Sequence, residues 1–182
     1  RAESQKVYLC GFSMGGALAI IAAAEVQPAG LVLLAPYFRV RRRWFYVLTP
    51  ETWNQIMHPV IPWIVKWGLI KGVNDPAMRG KNYHYHVAPT KFVLQLDEVG
   101  RRAKDGAALS RVTCPVLMFV GAEDDTASSQ IAMEHFERLG TPSEQRELVT
   151  LKRSKHIICW DYDREEVYRR TAEFVGMQES PR

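Results

Sequence analysis

Gly11-Phe12-Ser13-Met14-Gly15-Gly16 lies between an apolar run, residues 6–10, and an alanine-rich run of helical character, residues 17–25. Strand, tight turn and helix therefore follow one another, with a serine at the apex of the turn. A Gly-x-Ser-x-Gly match is common by chance, and its weight comes from the strand before it and the helix after it. On this reading Gly11 and Gly15 omit side chains so that strand and helix can approach. The serine is held in a strained conformation that pushes its hydroxyl outward. Gly16 lets the helix begin close to its neighbours. The helix N-terminus then aims unpaired N–H groups and its positive dipole end at Ser13, where charge on oxygen would be stabilised.

Outward from this turn the same alternation continues. Residues 31–35, Leu-Val-Leu-Leu-Ala, end at Pro36 and are apolar on both faces, as in a central parallel strand covered by helices. Residues 115–121 repeat that signature, and a third strand spans 146–151 after a helix over 128–139 with Gly140 as its stop. In the last helix, 164–175, Val167, Tyr168, Thr171, Ala172 and Val175 recur at helical spacing. The order is that of an α/β fold with a doubly wound parallel sheet.

Roughly eighty residues separate the strand at Leu31 from the strand at Val116, too many for one crossover helix. Residues 1–36 and 110–182 thus read as the core, and 37–109 as an inserted cap. The insertion carries Trp44, Phe45, Trp53, Trp63, Trp67, Tyr83, Tyr85 and Phe92, with prolines at 50, 59, 62, 76 and 89. That composition predicts short helices over an apolar surface. Residues 60–70 are interrupted by Pro62, Lys66 and Gly68, so they predict a cap helix, not a bilayer span. Residues 97–108 predict an amphipathic helix returning to the sheet.

With 182 residues and 47% apolar content, the chain can bury one core. The net charge of +4 owes much to Arg39, Arg41, Arg42 and Arg43, which no nucleic-acid motif accompanies; they read as a solvated face near a substrate entrance. Cys10, Cys114 and Cys159 sit beside apolar strand residues, as small core residues of a reducing compartment, and the expected location is cytoplasmic.

A serine hydroxyl needs a base within hydrogen-bond reach and a third group to orient that base. Histidines stand at His58, His84, His86, His135 and His156, and acids cluster at Glu123, Asp124 and Asp125. His84 and His86 form an H-x-H pair with no third metal ligand to name, which favours a structural role in the insertion. His135 falls within a helix and reads as a surface residue.

The turn at Ser13, the Gly121-Ala122-Glu123-Asp124 turn and the segment Ser154-Lys155-His156-Ile157-Ile158 together resemble the α/β-hydrolase superfamily. Within it they resemble the capped bacterial carboxylesterases and monoacylglycerol lipases, over residues 6–35 and 115–175. Lys155 replaces that branch's usual glycine, and Asp161-Tyr162-Asp163-Arg164 resembles its acidic turn into the final helix. The resemblance implies ester hydrolysis through an acyl-enzyme, on a small-molecule acyl ester and without metal or organic cofactor. Ser13 would be the nucleophile, His156 the base, Asp124 the orienting acid with Asp125 as alternative, and the Met14 N–H an oxyanion donor. Other reactions of the same triad, on thioesters or carbon–carbon bonds, are the alternative, with a non-catalytic binding fragment as the third reading. Trp44, Trp53, Trp63 and Trp67 are expected to line an apolar pocket over Ser13. In that fold the serine turn follows the fifth of eight strands. The chain therefore reads as a C-terminal part, with strands one to four and the second oxyanion donor in an N-terminal segment on which solubility and activity depend.

Overall fold

The computed structural model of the chain describes residues 6–41, 48–65, 72–79, 81, 85 and 87–179. The apolar run before Ser13 forms β1 (Tyr8–Phe12), the alanine-rich run forms α1 (Met14–Val26), and β2 (Gly30–Leu34) follows. The inserted region then supplies α2 (Pro50–Met57), β3 (Trp63–Val65), β4 (Val87–Pro89), α3 (Thr90–Ala103) and α4 (Gly106–Arg111). The chain returns through β5 (Val116–Gly121), α5 (Ser129–Phe136), β6 (Arg146–Leu151) and α6 (Arg164–Glu179).

Four strands make one parallel sheet in the order β1-β2-β5-β6. Phe12 lies opposite Leu34, Leu34 opposite Phe119, and Gly121 opposite Leu151, so the C-terminal ends share one edge. In open α/β sheets that edge is where chemistry gathers.

Strand periodicity divides the core in two. Leu31, Leu33, Val116, Met118 and Val120 face α1 and α5, packing with Ala17, Ile20, Ala23, Ala132 and Phe136. Val32, Leu117 and Phe119 point the other way, against Ile158, Val167 and Phe174. Leu31, Leu33, Leu117 and Phe119 are each at most 1% exposed, and burying each contributes about 1.5–3 kcal/mol. Small alanines on α1 let that helix lie close to the sheet. Cys114 is buried and Cys159 half-buried, whereas Cys10 is exposed on β1, an outer strand of the sheet, and not in the core as its apolar neighbours suggested.

The inserted region departs from its sequence reading in two places. Where a helix over 60–70 was expected, residues 63–65 instead pair antiparallel with Val87–Pro89, Trp63 opposite Pro89. Pro62 disfavours helix in the residue before it, and branched Ile64 and Val65 suit a strand. The single helix expected over 97–108 is two, because the Asp105 carboxylate accepts from the N–H groups of Ala107 and Ala108 and starts a new helix there. α3 begins earlier than expected, at Thr90, and carries Ala103 into the core on the α1 side, while Gly100 packs so closely that a Cβ would lie 2.7 Å from the Phe38 carbonyl oxygen. α5 stops at Phe136, short of Gly140, whose lack of a side chain serves packing: a Cβ there would stand 2.0 Å from the Ser110 carbonyl oxygen. Among the described residues no helix is long and apolar enough to cross a membrane.

Candidate active site

Ser13 occupies φ 52°, ψ −119°, a left-handed conformation that costs a non-glycine residue about 1–3 kcal/mol. Backbone bonds hold it there. Its N–H donates to the Leu34 carbonyl at 2.9 Å, and its own carbonyl accepts from Gly16, Ala17 and Tyr37 at 2.9, 3.3 and 2.9 Å. The end of the neighbouring strand β2, the helix after Ser13 and the chain leaving β2 all grip this one residue. A Cβ on Gly11 would lie 2.3 Å from the Gly15 carbonyl oxygen, and one on Gly16 would lie 2.9 Å from Pro36 Cβ. Gly15 is different from its sequence reading: apart from its chain neighbours and the α1 backbone, nothing among the described residues stands within 4 Å of a Cβ placed there. The close approach is thus made over the Gly15 backbone by Gly11 and against Pro36 by Gly16. Met14 opens α1, so its N–H has no partner within the helix and sits beside the serine.

His156 follows β6 and is 5% exposed. Its Nε2 lies 2.8 Å from Ser13 Oγ and its Nδ1 2.7 Å from Asp124 Oδ2. This arrangement suits a neutral imidazole that donates from Nδ1 to the carboxylate and accepts the serine proton at Nε2. The Phe12 ring packs on the imidazole with centroids 5.2 Å apart. Asp124 is 3% exposed, and its second oxygen accepts from the N–H groups of Thr126 and Ala127 at 2.8 and 2.9 Å. Asp125 points elsewhere, its carboxylate 3.2 Å from Lys155 Nζ, so the lysine standing in place of a glycine ties the acid turn to the histidine loop.

Arg41, read from the sequence as part of a solvated face, and Asp161 and Arg164, read as an acidic turn into the final helix, make contacts that the sequence did not specify. The Arg41 guanidinium donates to the Asp124 carbonyl, and Val40 bridges Ala127, so the segment leaving β2 braces the acid turn. Asp161 is fully buried next to the histidine loop. Arg164 beside Asp75 holds that carboxyl below the usual carboxylate range, at 2.9 Å. A cavity of about 650 Å³ lies against the acid turn, lined in part by Arg39, Arg41, Gly121, Asp124, Ser128 and Thr150.

Of the four tryptophans expected over the serine, Trp53 and Trp63 are exposed on α2 and β3, and Trp44 and Trp67 lie outside the described residues. His84 and His86 also lie outside them. His135 is half-buried, unlike the surface residue expected: burial lowers its pKa, its Nδ1 lies 2.9 Å from the Ile131 carbonyl, and its ring packs on Phe38. His58 caps the C-terminus of α2.

A family model described as serine aminopeptidase, S33, matches residues 1–163. The thermostable monoacylglycerol lipase of Bacillus sp. (strain H-257) is 35% identical over 96 residues, 53% of this chain and 37% of that protein. A structure from the work on LipS and LipT, two metagenome-derived lipolytic enzymes, superposes with a TM-score of 0.80 at 23% identity, over 95% of this chain and 66% of that one. The monoacylglycerol lipase of Paleococcus ferrophilus superposes with a TM-score of 0.76 at 19% identity, over 96% of this chain and 70% of that one. The chain thus spans little more than a third of the Bacillus protein in that match, and about two thirds of the two solved chains. The structural likenesses establish the α/β-hydrolase fold.

Proposed function

The chain belongs to the serine aminopeptidase, S33, family, and on that premise we propose that it is a serine carboxylester hydrolase of the esterase or monoacylglycerol lipase type. The observation that carries this reading is the unbroken relay from Ser13 Oγ through His156 to Asp124, at 2.8 and 2.7 Å. In the first half-reaction His156 Nε2 takes the hydroxyl proton as Ser13 Oγ attacks the acyl carbonyl carbon. The oxyanion of the tetrahedral intermediate is met by the Met14 N–H at the start of α1. Collapse breaks the ester bond, the leaving alkoxide takes the proton from imidazolium, and an acyl group remains on Ser13. Water then attacks by the same path and releases the acid. Asp124, oriented by Thr126 and Ala127, keeps Nδ1 protonated and stabilises the imidazolium.

Support for an ester over a peptide substrate comes from the Bacillus relative, a monoacylglycerol lipase. Trp53, Ile56, Ile61 and Trp63 of the inserted region are exposed apolar side chains, and we propose that Trp53 and Trp63 contribute to the surface that receives the acyl chain; Trp44 and Trp67, expected there too, lie outside the described residues.

The test is hydrolysis of p-nitrophenyl esters from acetate to laurate and of a monoacylglycerol, beside an aminoacyl p-nitroanilide, with Ser13→Ala in parallel. Ester turnover rising toward medium chains, lost by at least about 10³-fold in Ser13→Ala, is expected. Turnover of the anilide alone would assign the site to peptide bonds, and full ester activity in Ser13→Ala would remove Ser13 from the chemistry.

A further inference from the structure

Asp161 has no role in the relay just described, yet it is 0% exposed. Its carboxylate is filled by four backbone N–H groups. Oδ2 accepts from Asn74 and Lys155 at 2.8 Å each, and Oδ1 accepts from Asp75 and Tyr162 at 2.9 Å each. A buried carboxylate is costly unless its lone pairs are satisfied, and here the backbone does so with charge-assisted bonds.

These four donors come from separate places. Lys155 immediately precedes His156, Tyr162 leads into α6, and Asn74 with Asp75 belong to the inserted region more than eighty residues earlier. The same strut, residues 72–75, adds more ties. The Gly72 carbonyl accepts from the Ile157 N–H at 2.8 Å, on the other side of His156. The Asn74 amide donates to Glu123 Oε2 at 2.8 Å and to the Arg153 carbonyl at 3.1 Å, linking the acid turn to the histidine loop. Asp75 is in turn held by Arg164 at the start of α6, which also donates to the Asp161 carbonyl at 3.2 Å. His156 is therefore anchored through both its neighbours, one to Asp161 and one to the strut that Asp161 holds.

We infer that Asp161 is a positioning residue for His156, its carboxylate locking the end of the inserted region onto the histidine loop so that Nε2 stays within reach of Ser13. This rests on the relay proposed above. Asp161→Asn keeps the shape but turns one acceptor oxygen into a donor, so two of the four N–H groups lose their partner. Released on the Lys155 side the imidazole drifts directly, and released on the Asp75 side it drifts through the strut.

The experiment compares wild type, Asp161→Asn, Asp161→Ser, Asn74→Ala, Asp105→Ala and Ser13→Ala on p-nitrophenyl butyrate, well below each melting temperature, with the folded fraction measured by near-UV circular dichroism. A displacement of about 1 Å at a catalytic group costs up to about 10² in rate. Asp161→Asn is accordingly expected to lower kcat per folded molecule by about 10- to 100-fold with KM within about twofold, the mark of an interaction expressed in the transition state. Asn74→Ala, at a half-buried residue, loses the side-chain ties to Glu123 and Arg153 but keeps the backbone bond to Asp161, and is expected to lower kcat less, about threefold to tenfold. Asp105→Ala removes the N-cap of α4, which takes no part in the relay; it lowers the melting temperature and leaves kcat unchanged. Wild-type kcat per folded molecule in Asp161→Asn overturns the inference, as it does in Asp161→Ser should Asp161→Asn not fold. Activity surviving in Ser13→Ala would instead overturn the relay on which it rests.

Discussion

Adding one methyl group at Gly121, the last residue of β5, should disable the site without touching any of its reacting groups. An alanine Cβ there would stand 2.4 Å from the Lys155 carbonyl oxygen and 2.6 Å from that of Ser154, whereas ordinary contact begins at 3.4 Å. The histidine loop must retreat by about 1 Å to relieve the overlap, a displacement that in a catalytic group costs on the order of 10² in rate. Retreat is resisted on the far side, where the Lys155 N–H is bound to Asp161 and the Ile157 N–H to Gly72. Part of the overlap is then stored as strain, of about 1–3 kcal/mol by the measure of overpacked cores. At about 2–4 °C per kcal/mol for a domain of this size, Gly121→Ala should melt about 2–12 °C lower. Thermal melts and p-nitrophenyl butyrate kinetics, the latter taken well below the transition, read the two effects separately. Gly176→Ala is the control: apart from its chain neighbours and its own helix backbone, no atom among the described residues lies within 4 Å of a Cβ there, and alanine favours the helix, so melting should be unchanged or higher and kcat/KM unaltered. A Gly121→Ala variant with wild-type melting and wild-type kcat/KM would refute the reasoning, because the histidine loop would then have yielded at no cost.

Asp124→Asn should lower kcat by about 10⁴, since an amide facing Nδ1 favours the tautomer that cannot accept the Ser13 proton; folded protein with kcat within tenfold of wild type would count against Asp124 as the orienting group. Lys155→Ala removes the ion pair with Asp125 but keeps the backbone bond to Asp161. It should therefore cost about 0.2–1 kcal/mol of stability in a chemical denaturation curve, with kcat little changed. Asp75 has its pKa lowered by Arg164, so its contribution is present above the ordinary carboxylate pKa and is lost as pH falls through the depressed one. Melting temperatures of wild type and Asp75→Asn should accordingly differ at neutral pH and converge in acid, and a difference that persists in strong acid would disprove the assignment.

What the sequence by itself determined follows from short-range rules. Apolar runs of strand length, the glycines about Ser13 and the alanine-rich run after it specify a strand, a turn and a helix through contacts between near neighbours, and β1, β2, β5 and β6 all appear where those patterns lie. Parallel pairing brings the strand ends to one edge, so loops carrying a serine, an acid and a histidine were legible as a set. The boundaries in the inserted region were less so. Whether residues 63–65 extend depended on finding a partner some twenty residues later, and the end of α3 depended on which N–H groups the Asp105 carboxylate captured. Only the tertiary structure decided which of two adjacent aspartates meets the imidazole. Asp124 and Asp125 are alike in type and neighbourhood; the N–H groups of Thr126 and Ala127 turn one inward, and the ammonium of Lys155 draws the other away. The burial of Asp161 belongs to the same class. Its four partners lie on both sides of the catalytic loop and more than eighty residues upstream, and no local pattern encodes a carboxylate satisfied by backbone groups that meet only when the chain has folded.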